Sequence, residues 1–120
     1  GPFRSPPAST PALHSAAGRL LAARAADDIW QQILENTPAD IAETARESRR
    51  EWASVEHLYA PSTDLLRSAE VAVLIRDADN AVVATLSADI ASNTSSQDIG
   101  TVVDVLTRTA VSCKGNLRNG

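Results

Sequence analysis

Residues 70–86, EVAVLIRDADNAVVATL, decide the fold, because they contain two strand-forming segments separated by a turn. Residues 71–76 and 81–86 are rich in valine and other residues that favour extended strands. Between them, residues 77–80 (DADN) have the composition of a tight turn, in which Asn80 tolerates the left-handed backbone conformation. This stretch therefore predicts a β-hairpin.

The hairpin needs further cover, because two strands alone rarely make a stable sheet. Alternate residues of its first strand point to opposite faces, and both sets are apolar. Arg76 and Thr85 are the only polar side chains within the two strands, which is little protection against pairing with another strand. We expect a third strand from a second copy of the chain or from a partner, unless residues 101–107 supply it.

Helical periodicity precedes the hairpin. Apolar residues recur at intervals of three and four over residues 12–35 and again over 38–59, which predicts two amphipathic helices. Thr37 suits the N-cap of the second helix and Pro38 its first turn. The short connection favours a helical hairpin. A short third helix is predicted over residues 63–69.

A final helix is predicted after a loop at residues 88–96, with Ser95 or Ser96 as its N-cap. Apolar residues at helical spacing from Ile99 to Cys113 favour the helix, whereas the many β-branched residues of this segment leave a strand as the alternative. Gly115-Asn116 is a predicted helix stop.

Length and composition indicate one α+β domain. The fold class that we predict is a helical hairpin plus a short helix, a two- or three-stranded antiparallel β-hairpin sheet and a C-terminal helix. Residues 1–11 hold four of the six prolines and predict a disordered leader or linker. Residues 12–115 are the predicted domain, and residues 116–120 a frayed end. Gly1-Pro2 is typical of a protease-cleavage scar, so we expect a fragment of a larger protein.

Charge and hydrophobicity exclude two classes of partner. The net charge of −4, without a basic stripe, gives no footprint for nucleic acid. No apolar run is long enough for a transmembrane helix, so we expect no membrane partner. Cys113 is the only cysteine and no disulfide framework is possible, which is compatible with a reducing compartment. We therefore expect a soluble, cytoplasmic protein.

No residue pattern in the chain carries recognisable chemistry. His14, His57 and Cys113 lack the spacing of a zinc site or of a nucleophile with its base. Asp77 and Asp79 fit turn chemistry better than a calcium loop. We therefore predict no catalytic, cofactor-binding or metal-binding residue, no cofactor, and a protein that is not an enzyme.

The candidate interface combines large aromatic residues with the hairpin. Trp30 and Trp52 lie on the apolar stripes of their helices, where they either pack together in the helical hairpin or form an exposed binding surface. The full set of candidate interface residues is Trp30, Trp52, Tyr59, Val71, Val73, Ile75, Val83 and Thr85.

Two functions remain open. The first is a non-enzymatic protein-interaction or assembly domain that binds a protein partner, or a second copy, through a helix face or the hairpin edge. The alternative is a small-molecule-sensing regulatory domain. The strand pair of residues 70–86, with its acidic turn, resembles the paired strands of sensory domains of the PAS type. This resemblance implies an apolar pocket between the hairpin and the helices.

Overall fold

Helices precede and follow an antiparallel sheet in the computed structural model, which describes residues 12–61 and 68–119, with side chains through Cys113. The predicted α+β class is confirmed. Within this part of the chain, no helix has the length and apolar character needed to cross a membrane. The elements are a 3₁₀ turn (Ala12–His14), α1 (Ala16–Ala22), α2 (Asp27–Glu35), α3 (Ala39–Ser54), β1 (His57–Ala60), β2 (Ala69–Arg76), β3 (Val82–Ile90) and α4 (Ser96–Asn119).

The predicted hairpin is formed by β2 and β3, which pair antiparallel with Val73 opposite Leu86. In the turn, the Asp77 amide donates to the carbonyl of Ala81 over 2.9 Å. Asn80 has a φ of 66°, so the predicted left-handed residue is confirmed. β3 extends to Ile90, so the predicted loop at 88–96 begins later than expected.

The third strand of the sheet is β1, which pairs antiparallel with β2 and places Leu58 opposite Ala72. The prediction of a helix over residues 38–59 is therefore wrong beyond Ser54. Val55 is extended, with φ −104° and ψ 156°, and directs the chain into the sheet. Residues 101–107 are helical, as predicted in preference to a strand. The expectation that a second copy or a partner would supply the third strand is wrong, because β1 of the same chain supplies it.

The segment predicted as one helix over residues 12–35 is divided into the 3₁₀ turn, α1 and α2. The division lies at residues 23–26, where Ala26 is extended. Asp27 and Asp28 then begin α2, because carboxylates are favourable at the positive end of a helix. A periodic apolar pattern continued across this break, so periodicity alone did not reveal it.

Two side chains cap α1. The hydroxyl of Ser15 accepts a hydrogen bond from the amide of Gly18 at 2.9 Å. The carboxylate of Glu70, on β2, accepts from the amides of Ala16 and Ala17. Because Glu70 belongs to the sheet, this cap also fixes the start of α1 against β2.

β2 is the centre of the core and is buried on both faces. Val71, Val73 and Ile75 pack beneath α4, against Leu106 and Ala110. On the opposite face, Ala72 and Leu74 pack against Ala16 and Leu20 of α1. A separate core cluster contains residues of α2 and α3, including both tryptophans. The described chain thus has a helix on each side of the sheet.

α4 forms as predicted, but its end differs. The helix continues through Gly115-Asn116 to Asn119, so the predicted stop at those residues is wrong. Glycine and asparagine lower helix propensity without removing a backbone donor, so they permit a helix to continue. The predicted leader at residues 1–11 and Gly120 lie outside the described residues. Most of the predicted helix over 63–69 does too, and its last residue, Ala69, begins β2.

Opposite effects are expected from adding a methyl group at two helical glycines. A Cβ at Gly18 would lie 1.9 Å from the carbonyl oxygen of Ala12, whereas one at Gly100 would meet no atom within 4 Å. We predict that Gly100→Ala raises the free energy of unfolding by about 0.5–1 kcal/mol through helix propensity. Gly18→Ala should lower it by about 1–3 kcal/mol through overpacking. Denaturant unfolding measures both, and changes of the same sign would contradict the prediction.

Trp52 is expected to be a principal stabilising side chain of the α2–α3 cluster. Its exposed fraction is 8%, and it shares the cluster with Trp30 and Ala45. We predict that Trp52→Ala lowers the free energy of unfolding by about 3–5 kcal/mol, the usual effect of removing a buried large aromatic residue. The exposed Val105 provides a control, since Val105→Ala should change it by about 0.5 kcal/mol or less. A loss under about 1 kcal/mol for Trp52→Ala would contradict its burial.

Candidate functional site

Two neighbouring depressions lie along the sheet between α4 and β1, because α4 lies over β2 and leaves β1 largely uncovered. We call the two together the α4–β1 groove. Its wide end encloses about 490 Å³ and is lined by His57, Tyr59, Ser96, Gln97, Ile99, Gly100, Thr101, Val103 and Asp104. Its narrow end encloses about 200 Å³ and is lined by Glu56, Val73, Leu74, Arg76, Thr107, Ala110 and Val111.

The wide end combines apolar side chains with a few polar groups. Tyr59 is 36% exposed, so its ring is available on one side. His57 and Asp104 add an imidazole and a carboxylate, and all three residues line the same depression. An apolar surface with a few polar groups is typical of small-molecule sites.

Gly100 enlarges the wide end because it contributes no side chain to the groove. The space that its Cβ would occupy contains no atom within 4 Å. Glycine within a helix is destabilising relative to alanine, so the position is not explained by helix stability. What Gly100 provides is open volume beside β1.

The narrow end contains a two-point ion pair. Arg76 donates to both carboxylate oxygens of Glu56, over 2.8 and 3.1 Å, and to the carbonyl of Asn80 over 2.8 Å. The Arg76 hydrogen bond is the main reason that the pKa of Glu56 lies below its ordinary value. The backbone carbonyl of Glu56 also accepts from the amide of Leu74 at 3.1 Å, which aligns this residue with the sheet.

Arg24 holds the chain that leads into β1, the floor of the groove. Its guanidinium donates to the carbonyls of Leu20, Trp52 and Val55, over 2.9, 2.7 and 2.6 Å. Burial lowers the pKa of Arg24, and the nearby Glu56 carboxylate partly offsets this. One side chain therefore joins the end of α1, the end of α3 and the start of β1.

The predicted interface residues lie in different environments. Trp30 and Trp52 are 5% and 8% exposed and share one core cluster, as expected if they pack in the helical hairpin. Arg49 lies 4.7 Å over the Trp30 ring and Arg19 lies 5.3 Å over the Trp52 ring. Neither tryptophan therefore presents a free surface to a partner.

The hairpin members of that set also divide into buried and accessible residues. Three of them, Val71, Val73 and Ile75, are buried beneath α4. Tyr59 lies in the wide end of the α4–β1 groove, while Val83 and Thr85 lie on β3. The structure thus leaves two accessible regions, at opposite edges of the sheet.

Sequence reasoning missed three contributors to the groove. His57 and Asp104 come together only because residues 57–60 form a strand, whereas periodicity had assigned residues 57–59 to a helix. Arg24 had one detectable signal, since it is a single cation directly after the apolar residues of α1. In the described part of the chain, no group of three or more His, Cys, Asp or Glu residues is arranged to hold a metal ion.

Comparisons with known proteins identify the fold. No family model matches the sequence, and the comparison with curated proteins finds no similar sequence. A proposed transcriptional regulator from Rhodococcus sp. RHA1 superposes with a TM-score of 0.77 at 18% identity, over 92% of this chain and 48% of that chain. An IclR homolog from Microbacterium hydrocarbonoxydans, complexed with 4-hydroxybenzoate, gives 0.75 at 22% identity, over 92% and 48%.

An isolated domain gives a similar result. The C-terminal domain of the E. coli transcriptional regulator KdgR superposes with a TM-score of 0.67 at 18% identity, over 90% of this chain and 71% of that chain. The chain spans about half the length of the first two solved chains. At these identities the likeness shows the fold.

The Glu56–Arg76 pair predicts a pH-dependent coupling. Because the folded-state pKa of Glu56 is lowered, the pair stabilises the fold above the ordinary carboxyl pKa, and this stabilisation is lost as the pH falls through the lowered value. A double-mutant cycle of Glu56→Gln and Arg76→Gln should give a coupling of about 0.5–1 kcal/mol near neutral pH, as for an exposed pair. Denaturant unfolding should find the coupling absent in strong acid. Equal coupling at both pH values would contradict the assignment.

Proposed function

We propose that the chain is a small-molecule-sensing regulatory domain and that the α4–β1 groove is its ligand site. The observation that carries the proposal is this groove, open between a helix and a sheet on a fold similar to those of transcriptional regulators. One of those regulators was solved with 4-hydroxybenzoate bound, which supports the same kind of role here. A cytoplasmic location follows from such a role.

The groove favours a small organic ligand with an apolar body and one or two polar groups. Its wide end, at about 490 Å³, falls within the usual volume of ligand pockets. Ile99, Val103 and the Tyr59 ring would contact the body of the ligand, and His57 would bind an anionic or hydrogen-bonding group. Asp104 disfavours a second negative charge and suits a hydroxyl that donates a hydrogen bond.

The longer protein is part of the proposal. Since this chain spans about half the length of the regulators that it resembles, we place any contact with DNA in a part of the protein outside it. The predicted lack of nucleic-acid partners concerns this chain alone. Ligand binding across α4 and β1 would stabilise the conformation that binds the ligand, and a regulator transmits the resulting shift in population.

One specific observation supports protein interaction, the first function that the sequence suggested. Val83 on β3 is 49% exposed, and Thr85 of the same strand lies at an open edge of the described sheet. This edge lies on the far side of the sheet from the α4–β1 groove. An interaction role and a sensing role would therefore use separate surfaces.

Ligand binding is tested by titrating 4-hydroxybenzoate, benzoate and a panel of small aliphatic carboxylates into the labelled chain. We expect chemical-shift changes at the amides of residues 57–59 and 97–104. Gly100→Leu fills the wide end and should weaken binding of any positive probe by about tenfold or more, a loss of about 1.4 kcal/mol.

The matched control is Val105→Leu, since Val105 lies on α4, is 48% exposed and does not line the groove. This variant should leave the affinity unchanged. Shift changes confined to other surfaces would overturn the assignment of the site. A panel without any saturable binding would count against the proposed function itself.

A further inference from the structure

The two edges of the sheet differ in their protection against pairing. Within residues 12–61 and 68–119 the strand order is β1-β2-β3, so β1 and β3 are its edges. β1 has four residues and is followed directly by Pro61, and short strands and proline both discourage pairing. β3 has nine residues, its pairing with β2 is irregular only near Val83, and Asp89 is its only charged side chain. β3 is therefore the edge suited to accept another strand.

The direction of the backbone groups of β3 follows from the neighbouring strand. The amide of Leu74 donates to the carbonyl of Glu56, so the backbone groups of Leu74 point toward β1. Successive residues of a strand direct these groups to opposite neighbours, so those of Val73 point toward β3. Val73 lies opposite Leu86, whose backbone groups therefore point back toward β2.

The residues of β3 on either side of Leu86 consequently point outward. Thr85, Ser87 and Asp89 direct their N–H and C=O groups away from β2, in an evenly spaced row. Unpaired groups in such a row form a template for an added strand. The described part of the chain supplies no fourth strand to this edge.

The side chains of β3 are also incompletely covered. Leu86 and Ile90 point toward α4 but are only half-buried, whereas Val71 and Val73 of β2 are buried. Val83, at the register shift of β3, is 49% exposed. A strand added beside β3 would cover this apolar surface. The side chains and the backbone groups of β3 therefore both favour pairing with another strand.

We propose that two copies of this chain pair through β3, antiparallel, about a twofold axis that passes through Leu86. Leu86 is the midpoint of Val82–Ile90, so this register pairs the regular part of both strands, residues 84–88. Thr85 then lies opposite the partner subunit's Ser87, a favourable hydroxyl pair. The product is a continuous six-stranded sheet.

Charge and symmetry favour a second copy as the occupant. A twofold axis perpendicular to the sheet places two identical strands antiparallel, so each copy can present the same edge to the other. A register centred on Asp89 would oppose two carboxylates, and the register centred on Leu86 avoids this. No other charge on β3 calls for a partner of opposite sign. The α4–β1 groove lies at the other edge, so the paired form leaves it open.

The decisive measurement uses the unmodified chain, by combining sedimentation equilibrium with amide hydrogen exchange from low micromolar to millimolar concentration. At the lowest concentration we expect Leu86 and Ala88 to be protected, and Thr85, Ser87 and Asp89 to exchange rapidly. As dimer forms, the protection of these three amides should rise by about tenfold or more. This alternation is a signature that no other surface would produce.

Three results would overturn the proposal. One is a monomer at the highest concentration, with rapid exchange at the three outward amides. Another is a dimer whose formation leaves those amides unprotected, which would locate the interface elsewhere. The third is protection that is independent of concentration, which would mean that this chain itself covers the edge.

A pair of substitutions at one position tests the backbone contribution. Ser87→Pro removes an outward N–H without removing a bond to β2, whereas Ser87→Ala retains that N–H. The proline variant should raise the dimer dissociation constant by about tenfold or more, and the alanine variant by about threefold or less. Retained protection of Leu86 confirms that β3 is folded in each variant. Equal dissociation constants for the two folded variants would also overturn the proposal.

Discussion

The burial of β2 on both faces is the constraint on which the rest of the structure depends. A strand without a polar face requires helices on two sides and strands on two edges. α4 and α1 cover its faces, and β1 and β3 pair with its edges. The hairpin turn and the carboxylate of Glu70 bind neighbouring elements directly to this strand. The helical pair that holds the two tryptophans is a second core attached to this arrangement.

Arginine has an unusual role in a chain with few aromatic residues. Arg19 and Arg49 each stack on a tryptophan, and Arg49 also donates to the carbonyls of Ala23 and Ala25. Arg24 satisfies three further carbonyls. Each planar guanidinium has several N–H donors, which bind backbone carbonyls near the helix ends. Such carbonyls have no partner within a helix. The irregular segments between helices are thereby held without long stretches of regular structure.

Sequence patterns were sufficient where the deciding interactions are local. The turn at Asn80 and the periodic face of α4 depend on residues close to one another, and both were predicted. β1 was not, because Val55 and Tyr59 continue the apolar spacing of three and four residues that α3 follows. Their conformation is decided by pairing with β2 and by Arg24, which lie far along the chain. The α4–β1 groove could not be predicted for the same reason, since it exists only once β1 is a strand.

The three carbonyls held by Arg24 have a mechanical consequence. Its guanidinium is a rigid plane, so Leu20, Trp52 and Val55 keep fixed distances from one another as long as it binds all three. A shift of β1 by a fraction of an ångström must then either break a short bond or carry α1 with it. α1 is in this way mechanically coupled to β1, so a displacement of β1 on one side of the sheet moves α1 on the other.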